Sequence, residues 1–142
     1  MTKISHEIRI NASMADVFKT ISTIDGLKGW YTTRIEGDMV PGKSIKVHAD
    51  GRPSFCWRIS ELRPPTATRW ECVEGPGTAP GATVTFRLST KDSRTKVQLD
   101  YEGLPEDNPA FLTCNTLWGV MLGHLKQYAE TGKPSPAFTD IL

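Results

Sequence analysis

Three histidines (His6, His48, His124) and three cysteines (Cys56, Cys72, Cys114) are the side chains here best suited to act as bases, nucleophiles or metal ligands near neutral pH. Their spacing argues against assembled chemistry. There is no HExxH, no CxxC and no nucleophile elbow, and neither His6 nor His124 has an Asp or Glu at motif spacing. His6 shares the inward parity of a first strand and could reach an interior cavity. His124 flanks the stripe of the last helix. Each histidine otherwise reads as surface or core filler. Three sparse cysteines form neither a disulfide framework nor a zinc site, so all are expected reduced and mostly buried. A turn at residues 63–66 would place Trp57 near Cys72 and Cys56 near Val73, with the two thiols on opposite sides of the sheet. No catalytic residue, metal or cofactor is assigned.

Residues 37–44 match G-x-x-x-x-G-K-S, the pattern of a phosphate-binding loop. Such a loop must follow a buried parallel strand and open a helix. Here Pro41-Gly42 leads into Ile45 and Val47 at strand period, so nucleotide binding is rejected. Arg58 and Glu71 fall on paired strands and read as a solvent-side ion pair of small energetic weight.

The remaining chemistry is that of a binding wall. Trp30, Trp57, Trp70 and Trp118 each serve as core or as the wall of an apolar pocket. Trp118 centres the last helix's stripe. Tyr31 and Tyr101 add hydroxyls, which when buried bond either a protein group or a ligand. Asn115 sits at the stripe's edge, to orient a ligand carbonyl or to bond a strand backbone. The expected cavity lies between sheet and last helix, lined by Trp57, Trp70, Phe86, Tyr101, Asn115, Trp118, Met121, Leu122 and Leu125. Trp30 and Tyr31 would guard one end.

The elements that must position these residues follow from periodicity. Ile4, His6, Ile8 and Ile10 alternate as a first strand. Ser13, with Asp16 three residues on, caps a short helix over residues 14–20, and a helical turn pinned by Leu27 and Trp30 follows. Six strands should come next, over roughly 33–39, 44–49, 54–62, 68–74, 82–89 and 96–101. Pro41-Gly42, Asp50-Gly51, Pro64-Pro65, the GPGTAPG stretch at 75–81 and the KDSR stretch separate them. Clean alternation in the last two means one buried and one wet face, as in an antiparallel sheet.

A long helix over 108–131 closes the order, with Asn108 as N-cap, Pro109 at its first position and Gly132 as the stop. At ~100° per residue, Phe111, Cys114, Trp118, Met121, Leu122, Leu125 and Ala129 share one face, with Asn115 and Tyr128 at its edges. Leu112, Thr116, Gly119, Val120, Gly123 and Gln127 face away. Gly119 and Gly123 would there admit another helix or a second subunit, or are simply tolerated small residues. A helix this long must lie across the sheet to bury its stripe, and a curved sheet leaves a pocket beneath it.

The 142 residues suit one domain spanning 1–142, and 38% hydrophobic with 23% charged residues is ordinary globular composition. A net charge of +1 provides no field for nucleic acid or anionic membrane. No apolar run approaches the ~18 residues of a membrane span, and the N-terminus lacks a signal-peptide apolar region, so a cytoplasmic protein is expected.

Three segments carry a family resemblance. NASMADVFKTISTIDGLKGWYTT resembles the opening of the family related to the activator of the ninety-kilodalton heat-shock-protein ATPase. WRISELRPPTATRWECVEGP is similar to its central hairpin, and TLWGVMLGHLKQYAETGKP to its closing helix. The resemblance implies the α+β helix-grip fold of the START-like (SRPBCC) superfamily. In that fold a curved antiparallel sheet of about seven strands surrounds a long C-terminal helix, with two short helices after strand one. That superfamily spans carriers, receptors, cyclases and co-chaperone domains, so fold alone does not choose a function. The reading favoured here is binding of a small apolar or aromatic molecule. The alternatives are a chaperone-contacting module and a cyclase- or hydrolase-type enzyme working inside the cavity.

Overall fold

The computed structural model describes residues 3–49 and 52–138 of the chain. The turn expected at Asp50-Gly51 lies outside the described residues. Strand β1 (Lys3–Ile10) buries Ile4 and Ile10, with His6 and Ile8 half-buried between them. Helix α1 (Met14–Ser22) begins where the Ser13 hydroxyl accepts the Asp16 N–H at 3.1 Å, and it buries Val17, Phe18 and Ile21. It runs two residues beyond the expected end. Thr23 then joins two helices: its hydroxyl donates to the Lys19 carbonyl (2.8 Å) and accepts the Gly26 N–H (2.9 Å) at the start of α2 (Ile24–Lys28). So short a helix depends on packing. A Cβ at Gly26 would lie 2.3 Å from the Lys19 carbonyl oxygen, so the close α1–α2 approach requires glycine there.

Six further strands follow: β2 (Arg34–Gly37), β3 (Ser44–Ala49), β4 (Arg52–Arg63), β5 (Ala67–Glu74), β6 (Thr83–Lys91) and β7 (Arg94–Glu102). They form one antiparallel seven-stranded sheet in the order β1-β7-β6-β5-β4-β3-β2. The G-x-x-x-x-G-K-S match is the β2–β3 hairpin. Gly37 (φ +122°) ends β2 short of the expected Met39, Gly42 (φ +85°) makes the turn, and Ser44 opens a strand, not a helix.

Register shifts interrupt the ladders between Val47 and Ala49, Cys56 and Trp57, and Ile59 and Glu61. Such irregularities bend and twist a sheet, here on adjacent strands. Trp57 does face Cys72, but the shift moves Cys56 from the expected Val73 to Glu74. All three thiols are free; Cys72 is buried, whereas Cys56 and Cys114 are half-buried.

Helix α3 (Phe111–Thr131) starts three residues later than expected, because Asn108 is not its cap. The Asn108 side-chain oxygen accepts the Ala110 N–H (2.8 Å) and its carbonyl accepts the Phe111 N–H (2.9 Å), forming a separate turn ahead of the helix. Its amide nitrogen donates instead to the Thr78 hydroxyl at 3.2 Å, tying this turn to the 75–81 loop. Ala110 takes the N-cap position without a side-chain cap bond, and Gly132 (φ +73°) ends the helix with its N–H on the Tyr128 carbonyl at 2.8 Å.

Trp118, Met121, Leu122 and Leu125 are the buried face of α3, flanked by half-buried Phe111, Cys114 and Ala129. Gly119 does not face outward as expected. It lies over the His6 ring of β1, where a Cβ would sit 3.4 Å from the imidazole, and absence of a side chain lets helix and strand approach. Gly123 is exposed with open space beside it. At the other end the Tyr128 ring covers Gly29, leaving 2.3 Å for any Cβ. The first and last of the three resembling stretches, which contain Gly29 and Tyr128, therefore touch each other.

Past Gly132 the chain turns back as a strap. Ser135, Ala137 and Phe138 donate backbone bonds to the carbonyls of Gly29 (2.9 Å), Trp30 (2.8 Å) and Tyr31 (3.0 Å). His124 Nδ1 lies 2.6 Å from the Ser135 carbonyl oxygen. On the outer sheet face, Asp100 is buried yet ionised. Burial opposes its charge, but hydrogen bonds from Ser5 (2.7 Å), Arg87 (2.5 Å) and Gln98, with Lys3 beside it, hold its carboxyl below the usual range. Arg58 and Glu71 form the expected cross-strand ion pair, partly exposed.

Candidate functional site

The space between sheet and α3 has two ends of different character. At one, α1 packs against β5, β6 and α3 and closes the volume. Trp30, Trp70, Phe86, Leu122 and Leu125 are fully buried there. Trp30 donates its indole N–H to the Thr20 carbonyl at 2.7 Å, and its ring lies 5.6 Å from Tyr31 and 6.2 Å from Phe86. Trp70 packs 5.1 Å from Phe86, and its buried Nε1 has no hydrogen-bond partner among the described residues.

At the other end a cavity of about 560 Å³ remains, within the range of small-molecule sites. Val47, Phe55 and Trp57 form its sheet wall, with Tyr101 of β7 and Leu104 just after it. Cys114, Leu117, Trp118 and Met121 come from α3, Tyr31 from the segment after α2, and Phe138 from the strap. Residues 76–79, Asn108, Ala110 and Thr113 complete the rim.

Of the residues singled out in the sequence, the fold thus brings Tyr31, Trp57, Tyr101, Trp118 and Met121 onto the cavity. Trp30, Trp70, Phe86, Leu122 and Leu125 lie in the filled end, and half-buried Asn115 lies off the lining. The histidines are elsewhere: His6 beneath Gly119, His124 of α3 against the Ser135 carbonyl of the strap, and His48 beside Ser54 (2.9 Å) and Glu36 (3.5 Å).

Two further lining residues share a face with predicted ones in the sequence pattern but were not assigned to the cavity. Phe55 alternates in phase with Trp57, and the two rings stack at 5.6 Å and 6°. Cys114 stands on the stripe beside Trp118. The 75–81 loop and Phe138 had no such signal, because tertiary contacts alone bring them to the rim.

The cavity's aromatic groups interlock. Trp118 meets Tyr31 at 6.2 Å and Tyr101 at 6.1 Å, while Phe138 lies 6.2 Å from Tyr31. Trp57 Nε1 donates weakly to the Tyr31 hydroxyl at 3.4 Å. The Tyr101 hydroxyl and the Trp118 indole stand near the Cys114 thiol and favour its charged form. Burial nonetheless raises the Cys114 pKa, and it pushes Tyr31 and Tyr101 above the ordinary phenol range, with neighbouring thiols adding to the effect on both. Cys72, raised first by burial and then by Cys56, is pushed up to about 11. All four groups are neutral at physiological pH. The described lining includes no Lys, Arg, His, Asp or Glu.

A curved sheet gripping one long helix around an interior cavity defines a helix-grip protein of the START-like class. Residues 11–130 match the family model described as Activator of Hsp90 ATPase homolog 1-like protein, and the chain belongs to that family. It is similar to the solution structure of the Aha1 dimer from Colwellia psychrerythraea, with 32% identity, TM-score 0.85, and coverage of 94% of this chain and 99% of that one. It shares its fold with CalU16 from Micromonospora echinospora (19% identity, TM-score 0.74, 92% and 77% covered). The same holds for DynU16 of the dynemicin biosynthetic locus (19%, TM-score 0.79), where 93% of this chain spans 48% of that one. Comparison with curated proteins finds no match.

Proposed function

We propose that this protein binds an apolar, aromatic small molecule in the cavity between its sheet and α3. The observation that supports this reading is the cavity itself: about 560 Å³ walled by aromatic rings from β4, β7, α3, the segment after α2 and the strap. Apolar burial would drive binding, at about 25 cal/mol per Å² before ordering costs. No helix among the described residues is long and apolar enough to cross a membrane. Three free thiols suit a reducing compartment such as the cytoplasm.

Trp57 and Trp118 line the cavity, so intrinsic fluorescence should respond to an occupant. A panel of lipids and aromatic polyketides tests this. A saturable change that Trp118→Ala abolishes supports the reading. If no compound perturbs the emission, and Trp118→Ala alters stability alone, the reading fails.

A second reading, a contact module for another copy or for a chaperone, draws on the family description and on the dimer described for the Colwellia relative. Its physical basis is the outward side of α3, where Leu112 and Val120 are 75% and 50% exposed. Sedimentation equilibrium should then show self-association that Leu112→Ser with Val120→Ser weakens. A monomer that also leaves chaperone ATPase activity unchanged removes this reading.

A further inference from the structure

Taking the ligand-binding reading as its basis, we infer that the cavity selects uncharged aromatic carbonyl compounds, holding the carbonyl oxygen by the hydroxyls of Tyr31 and Tyr101. Charge is the first reason. The described lining offers a ligand anion or cation no opposite charge, and an ion taken from water without a partner is strongly penalised. A carboxylate would therefore bind far worse than a neutral compound on the same ring skeleton. The neutral state of the cavity's own phenols and thiol follows from the same penalty.

Unspent hydrogen bonding is the second reason. The Tyr101 hydroxyl has no hydrogen bond to an oxygen or nitrogen acceptor among the described residues; the Cys114 sulfur beside it is a poor acceptor that a carbonyl oxygen would readily replace. The Tyr31 oxygen is engaged by Trp57 at the long distance of 3.4 Å, which leaves its own proton available for donation. These two phenols come from different parts of the chain and both flank Trp118, at 6.2 and 6.1 Å between rings. Neither hydroxyl donates to an oxygen or nitrogen acceptor among the described residues. The third reason is shape. Phe55 and Trp57 already stack at 5.6 Å and within 6° of parallel on the cavity lining, an arrangement that a planar ring system could extend.

Four naphthalene probes test this by equilibrium dialysis: 2-acetylnaphthalene, methyl 2-naphthoate, 2-naphthoate and 2-ethylnaphthalene. At pH 7.5 the ketone and the ester should bind at least about tenfold tighter than the carboxylate. Tyr101→Phe and Tyr31→Phe should each weaken the ketone about two- to tenfold while leaving 2-ethylnaphthalene unchanged. These variants keep the ring, and a thermal melt reports their folding. Carboxylate binding equal to or tighter than the ketone overturns the inference. So does a ketone-to-hydrocarbon ratio that neither variant moves. Binding of all four probes with equal strength leaves the cavity a binding site but removes its selectivity. Binding of none removes the ligand-binding reading and the selectivity together.

Discussion

The filled and hollow ends of the molecule are built from the same kinds of residue. Trp30 and Trp70 lie in one, Trp57 and Trp118 in the other, and Trp57 and Trp70 stand 6.1 Å apart across the divide. What differs is the element laid over them. Helix α1 covers the sheet at Trp70 and Phe86, whereas a Gly/Pro-rich loop and the strap border the sheet wall at Phe55 and Trp57. An aromatic ring is therefore core or site according to what the chain places above it.

The largest test of this contrast is truncation. Trp70→Ala should cost about 3–5 kcal/mol in denaturant unfolding, because it opens a void in a packed region. Trp118→Ala should cost about half as much, because one side of its ring already faces unfilled space. Equal losses at the two positions would break the distinction between the ends. Gly29→Ala should cost about 1–3 kcal/mol by driving a Cβ into the Tyr128 ring, and a stability unchanged from wild type would contradict the observed packing.

Asp100 belongs to neither end and sharpens the contrast as a control. Removing its charge with Asp100→Asn should cost about 1–3 kcal/mol at pH 7, since buried bonds from Ser5 and Arg87 are weakened, yet leave ligand affinity intact. Its folded pKa lies below the unfolded aspartate value. Its contribution is therefore complete above about pH 4 and declines as pH falls through the unfolded and then the folded value. The variant's stability should correspondingly fall less than the wild type's on acidification. The smallest expected effect is that of Tyr101→Phe, within about 0.5 kcal/mol of wild-type stability, because the hydroxyl has only the weakly accepting Cys114 sulfur beside it. Ligand affinity should also stay flat from pH 6 to 8, as burial pushes the cavity's phenols and Cys114 above their ordinary values.

Much of the frame was legible in the sequence because it rests on period. Alternation along residues 82–89 and 96–101 marked β6 and β7, observed over 83–91 and 94–102, and the stripe through Trp118 and Leu125 marked the buried side of α3. Local chemistry misled where it had a second partner. Asn108 has the right side chain for a helix cap, but Thr78, thirty residues away, takes part in fixing it in a turn of its own. Parity misled at Gly119, because β1 runs beneath what looked like the outer side of the helix. The division of the aromatic residues between filled and hollow ends was not legible at all. It depends on where α1 and the strap come to rest, which no periodicity encodes.

The strap also sets an order of events during folding. The sheet cannot be complete until β1 meets β7, a pairing whose Ser5–Asp100 side-chain bond spans 95 residues. Long-range pairings of this kind form slowly. Phe138, packed against Tyr31, supplies one wall of the cavity from the latest of the described segments to leave the ribosome. Until then the emerging chain presents Tyr31 and Trp118 to whatever surrounds it.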